Sequence, residues 1–191
     1  MQKIILASTS PRRKELLEKL GLPFEIIPSD YEEDMNLDMH PLELAKFLSL
    51  GKAQAVAGKN VSSLVIGADT FVALGEKLLG KPKNIEEAKN MLREISGQMV
   101  SVITGFTLID SDTGQTVSEV VETKIYIKKL SDEEIDNYIK TGEPLDKAGA
   151  FAIQGVGAVF IEKIEGDFLA TVGLPLFALA NRLKEFGIKV L

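Results

Sequence analysis

The chain has 191 residues, 45% hydrophobic and 26% charged, with a formal net charge of −6. That size supports one globular domain with a real core, in one piece or two lobes, and the acidic balance argues against a broadly basic nucleic-acid binder. Cysteine is absent and His40 is the single histidine, which excludes a disulfide scaffold, a zinc ribbon, a thiol nucleophile and a multi-histidine metal site; a Ser-His-Asp triad would have to use His40.

Residues 3–7 read as a short buried strand. This apolar run ends before Arg12 and Arg13, which fits no secretory leader, and no stretch is long enough to span a bilayer. The expected setting is therefore cytoplasmic, with no membrane partner. Ser10 followed by Pro11 is a helix start, with Ser10 as N-cap and Pro11 in the first turn. That helix carries Leu16, Leu17 and Leu20 inward and stops near Gly21. Residues 24–28 form a second short strand, and 29–40 an acidic loop. Pro41 opens a second helix that runs to about Gly58.

Residues 64–74, LVIGADTFVAL, are the most apolar strand candidate. Asn84-Ile85-Glu86-Glu87 is a capping box for a helix ending near Ser96-Gly97. Residues 100–109 and 116–128 are β-rich, and the turn at 110–114 makes them an antiparallel hairpin. Ser131 to Glu134 is a second capping box, for a helix to about Thr141. The glycine-rich stretch 142–157 reads as a structured loop, 158–163 as a strand and 175–186 as the last helix. Helices alternate with strands, but the hairpin breaks a purely parallel pattern. The expected class is α/β, a mixed, twisted sheet flanked by helices.

Some residues fit structure poorly. Arg12, Arg13 and Lys14 sit in a first helical turn, where cations oppose the helix dipole. Free backbone N–H groups beside two arginines make an anion site; a solvated basic patch is the plainer alternative. Asp69 interrupts an apolar strand, and a buried carboxylate there demands a cation or a metal. Lys52 reads from spacing alone as a surface lysine covering apolar neighbours with its stem. Lys81, in Gly80-Lys81-Pro82, reads alone as a solvated loop cation, and Glu32 and Glu33 as part of a solvated acidic loop. Neither a phosphate-loop motif nor a dinucleotide-binding glycine turn is present.

Taken together, these pieces resemble the Maf family of nucleoside triphosphate pyrophosphatases. The resemblance rests on LASTSPRRKELL (residues 6–17), the Glu32-Glu33 pair, Lys52-Ala53, GADT (67–70), GKP (80–82), EEAKNML (86–92), Ser96-Gly97 with VITG (102–105), EPLDKAGAFAIQG (143–155) and VGLPL (172–176). It implies one domain over 1–191, with two lobes around a cleft like inosine triphosphate pyrophosphatase. It also implies cleavage of a nucleoside triphosphate between its α and β phosphates, with a divalent metal, Mg²⁺ or Mn²⁺. Carried over by motif, Asp69 is the general base and, with Glu33, a metal ligand. Ser10, Arg13, Lys52 and Lys81 handle phosphate. Arg12, Thr70 and Gln154 separate substrate subtypes, and this combination looks like the branch acting on dTTP and UTP, where such enzymes clear modified pyrimidine nucleotides. The resemblance further suggests a homodimer and no stable nucleic-acid binding. Proteins of this family have also been regarded as inhibitors of septum formation, which leaves a nucleotide-sensing regulator as the alternative. Val100 stands where many relatives have histidine, and Phe151-Ala152 where the loop commonly reads Tyr-Gly.

Overall fold

Strand β1 (Lys3–Leu6) lies between two parallel neighbours, β2 (Phe24–Ile26) and β3 (Ser63–Leu74); Leu6 stands opposite both Ile26 and Ile66. Parallel strands need crossovers. Helix α1 (Pro11–Glu18) joins β1 to β2, and helix α2 (Pro41–Ala57) joins β2 to β3. The computed structural model describes residues 2–32, 34 and 37–191; Glu33 lies outside the described residues.

The remaining strands are β4 (Lys77–Leu79), β5 (Met99–Asp110), β6 (Thr116–Ile127) and β7 (Ile161–Glu165). Helices α3 (Ile85–Ile95), α4 (Asp132–Lys140), α5 (Phe168–Val172) and α6 (Leu176–Leu183) complete the set among the described residues. The sheet order is β2-β1-β3-β5-β6-β7, with β4 paired antiparallel to β3 and β7 antiparallel to β6. The mixed sheet with helices, expected from the alternating pattern, is present.

The chain divides into two compact units. The first comprises residues 1–70, 104–121 and 169–191. Its core includes Ile5, Ala7, Ala53, Val56, Val65 and Ile109. The second comprises residues 71–103 and 122–168. Leu92, Ile95, Val100, Tyr138, Phe151 and Phe160 pack within it, with Tyr138 and Phe160 edge to face at 4.9 Å. Val100 and Phe151, where the sequence departs from many relatives, are thus packing positions.

Helix starts follow the local chemistry. Ser10 accepts from Arg13 N–H, Asn84 from Glu87 N–H, and Ser131 and Glu134 form a complete reciprocal box. At Asn84 the box is only half made, because the Glu87 carboxylate takes Lys83 N–H at 2.7 Å. Strand β4 and helix α5 were not expected, and two expected elements have other bounds. The strand expected over 158–163 begins at Ile161, since residues Val156–Phe160 are wound into a 3₁₀ helix. The last α-helix ends at Leu183 and tightens into a 3₁₀ turn that stops at Gly187, with φ 74°.

Candidate active site

In the first unit, α2 approaches the sheet so closely that glycine is required beneath it. A Cβ on Gly67 would come 2.5 Å from the Ser49 carbonyl oxygen, and one on Gly105 would enter the Ala45 carbonyl group. Side chains alternate along a strand, so Asp69 shares the face of Gly67, and Thr107 that of Gly105. Ser49 meets Thr107 at 2.9 Å. One turn further along α2, Lys52 Nζ donates to Asp69 Oδ1 at 2.5 Å. Lys52 is 8% exposed and Asp69 5%. The surface reading of Lys52 is therefore overturned: the two glycines let the helix come down until its lysine is buried on the strand. Asp69 carries the cation that an aspartate in an apolar strand demands.

Thr70 faces the other way. Its hydroxyl meets Thr104 Oγ1 at 2.8 Å, and Thr104 donates to the Ala170 carbonyl at 2.7 Å. Arg13 Nη2 donates to Thr70 Oγ1 at 3.2 Å, Nη1 to Ser8 Oγ at 3.3 Å and Nε to the Gly173 carbonyl at 3.0 Å. Ser8 Oγ also accepts from Ser10 N–H at 3.2 Å, and Ser10 caps α1. Arg13 is half-buried and turned onto neutral acceptors, while Arg12 is exposed at the helix start. The first-turn cations thus divide: Arg13 is built into the fold, while Arg12 and Lys14 are exposed.

The second unit holds Lys81 and Gln154. Lys81 is exposed and pairs with Asp146 at 2.9 Å; Lys147 takes the other oxygen at 3.1 Å. The Lys81 and Lys147 ammonium groups push the Asp146 carboxyl down to about 2. Gln154 lies exposed in a turn. Residues on both sides of it are pinned from below. Glu143 accepts from Val156 N–H at 2.9 Å, Gly157 N–H at 3.0 Å and Tyr138 Oη at 2.7 Å, and Tyr138 Oη accepts from Ala152 N–H.

Burial pushes the Glu143 carboxyl up, but hydrogen bonds from Gly157, Tyr138 and Val156 outweigh it and hold the group below its ordinary 4.5. A depressed carboxylate stabilises the fold above its ordinary value, and that contribution is lost as pH falls through the lower folded value. Glu143→Gln is therefore expected to melt lower than the parent at neutral pH, with the gap closing as pH drops below about 4.5. Melting curves across pH 3–7 check this; a gap independent of pH would remove the charge from the argument.

The first unit thus gathers Ser10, Arg13 and Thr70 into one network and Lys52 and Asp69 into a second. Lys81 and Gln154 belong to the other unit, and Glu33 lies outside the described residues. No group of three potential metal-ligating side chains comes together among the described residues. Sequence reasoning missed Ser8, Thr104, Gly173, Tyr138 and Glu143 as individuals. Four of these lie inside the quoted motifs; Tyr138 carried no signal. No helix is long and apolar enough to cross a membrane among the described residues.

A family model described as "Maf-like protein" matches residues 3–186. A Methanosarcina barkeri protein named dTTP/UTP pyrophosphatase is 53% identical over 191 residues, covering 100% of this chain and 97% of that protein. A protein of the same name from Thermoanaerobacter sp. is 52% identical, covering 99% of this chain and 100% of its own length. Among solved structures, the Staphylococcus aureus Ham1 protein overlaps 66% of this chain and 72% of its own, at 16% identity and a TM-score of 0.46.

Proposed function

Because the chain belongs to the Maf-like protein family, we propose that it is a nucleoside triphosphate pyrophosphatase, converting dTTP and UTP to the monophosphate and pyrophosphate. The relatives named for that activity match at about half identity over essentially the whole chain. Clearance of modified pyrimidine triphosphates is the role this chemistry would serve. The observation that carries the reaction is the buried Lys52–Asp69 pair. A fold has little use for an ion pair in a β-strand core, since apolar residues of similar volume serve stability as well or better.

In the proposed mechanism Asp69 orients a water and takes its proton as the water oxygen bonds to the α-phosphorus. The bond from the α-phosphorus to the bridging oxygen breaks, and pyrophosphate leaves with the electron pair. Lys52 holds Asp69 in place and sets a positive charge beside the reacting centre. Arg12, Arg13 and the amides at the start of α1 bind phosphate oxygens. Lys81 as a phosphate cation and Gln154 as a reader of the base, through an amide that both donates and accepts, are proposed on the motif resemblance.

A divalent cation, Mg²⁺ or Mn²⁺, is proposed on the same ground, with Asp69 and Glu33 as its carboxylates. When bound it supplies Lewis acidity, neutralising phosphate charge and acidifying water. The described residues do not by themselves make its site, because Oδ1 of Asp69 is held by a lysine and no group of three metal-ligating side chains forms among the described residues.

A substrate panel tests the reading: dTTP, UTP, CTP, ATP, GTP and 7-methyl-GTP, each with Mg²⁺ or Mn²⁺, with product identification. Monophosphate and pyrophosphate from dTTP and UTP are expected, lost on chelation and restored by metal. Turnover of 7-methyl-GTP alone would keep the reaction and overturn the assignment of Arg12, Thr70 and Gln154. Gln154→Glu is expected to lower kcat/KM for dTTP; an unchanged value takes Gln154 out of base reading.

A further inference from the structure

Thr104 is fully buried and belongs to the first unit, as do Arg13, Thr70, Ala170 and Gly173. Its hydroxyl has one proton. That proton goes to the Ala170 carbonyl at 2.7 Å, and a carbonyl can only accept. Thr104 must therefore accept from Thr70, 2.8 Å away, and the single proton of Thr70 is spent on it. Only the lone pairs of Thr70 remain, and Arg13 Nη2 donates to them at 3.2 Å. The donors all run one way, from Arg13 to Thr70 to Thr104 to Ala170. Chains polarised in one direction reinforce each link.

The other side of the guanidinium is fixed as well. Nε donates to the Gly173 carbonyl at 3.0 Å, and Gly173 has φ +128°, a conformation that favours glycine. A Cβ there would stand 3.3 Å from Arg13 Cγ. The plane of the guanidinium is thus set by the hydroxyls of Thr70 and Ser8 and by a backbone carbonyl that the chain holds in special geometry.

We propose that Thr104 is a positioning residue for phosphate binding: by consuming the Thr70 proton it makes Thr70 a pure acceptor, which orients the Arg13 guanidinium toward the substrate's phosphates. The inference rests on Arg13 being a phosphate ligand, as proposed above. It changes the meaning of Thr70. That side chain cannot donate to a nucleobase while Thr104 holds its proton, so its effect on substrate passes through Arg13.

A double-mutant cycle tests this. Steady-state pyrophosphate release from dTTP and melting temperatures would be measured for Thr104→Val, Thr104→Ser, Thr70→Val, the Thr70→Val/Thr104→Val pair and Arg13→Lys. Thr104→Val keeps the shape and removes the acceptor. It is expected to raise KM about fivefold, the scale of one neutral hydrogen bond, with kcat within about twofold. Thr104→Ser should restore KM. In the Thr70→Val background, Thr104→Val should add nothing to KM while still lowering the melting temperature, because the Ala170 carbonyl loses its donor in either background. A purely structural role predicts the opposite, with the same KM factor in both backgrounds. An unchanged KM in Thr104→Val, with Arg13→Lys impaired, overturns the proposal alone. An unchanged KM in Arg13→Lys overturns the phosphate role of Arg13 and the proposal with it.

Discussion

Asp69→Asn is expected to lower kcat for pyrophosphate release by about a hundred- to ten-thousandfold, the usual contribution of a positioned base, with nucleotide affinity nearly unchanged. Asparagine has the same shape and keeps an oxygen for the Lys52 ammonium, which now reaches Asp69 at 2.5 Å. It cannot take a proton from water. The cations assigned to phosphate at the helix start lie on other residues, Arg12 and Arg13, so binding should survive. Calorimetric titration with dTTP beside a turnover assay separates the two. Retained turnover would move the base to another group. Loss of affinity in step with kcat would make Asp69 a binding group. The septum-regulator alternative is tested by the same variant: a cellular effect that persists without turnover would belong to binding alone.

The second large effect concerns Lys52. Its partner sits at 5% exposure in a strand with apolar neighbours. Lys52→Met removes the cation and leaves a buried carboxylate without it, a change that typically costs about 3–5 kcal/mol. For a chain of this size that corresponds to a fall in melting temperature of roughly 6–20 °C. Lys52→Met/Asp69→Leu, which replaces the pair by apolar groups, should recover most of the loss while remaining inactive. Calorimetric melts of the parent, both single variants and the double variant give the comparison. A single Lys52→Met variant that melts within a degree or two of the parent would mean that water reaches the pair.

Much of this arrangement was legible in the sequence wherever it depends on neighbours along the chain. Ser10-Pro11 and the Ser131 box start helices because a side-chain oxygen reaches amides two or three residues away. Asp69 stood out because a carboxylate is a misfit in an apolar strand. Lys52 was misread for a physical reason: its burial depends on the absent side chains at Gly67 and Gly105, one 15 and the other 53 positions downstream. Thr104 lay inside the VITG motif but did not stand out as an individual, since threonine is an ordinary strand residue; only its partners at positions 70 and 170 make it informative. The displaced start of β7 has a similar origin. Val156 and Gly157 donate to Glu143, 13 and 14 residues earlier, and no periodicity reports such a bond. Strand β4, with three residues, and helix α5, with five, were not expected from the sequence, since neither is long enough to repeat a pattern.

Asp69 and Thr70 are consecutive, yet one faces Lys52 and the other faces Arg13 through Thr70 Oγ1. A single peptide unit therefore ties the proposed proton acceptor on one surface of the sheet to the hydroxyl that holds the Arg13 guanidinium on the other. Sliding β3 by one residue against β1 would send each side chain to the wrong surface. Both would fail together: the carboxylate would leave its lysine as the hydroxyl left its arginine. A chain folded with that slip would be silent, and it could not become an enzyme that cleaves triphosphates without discrimination.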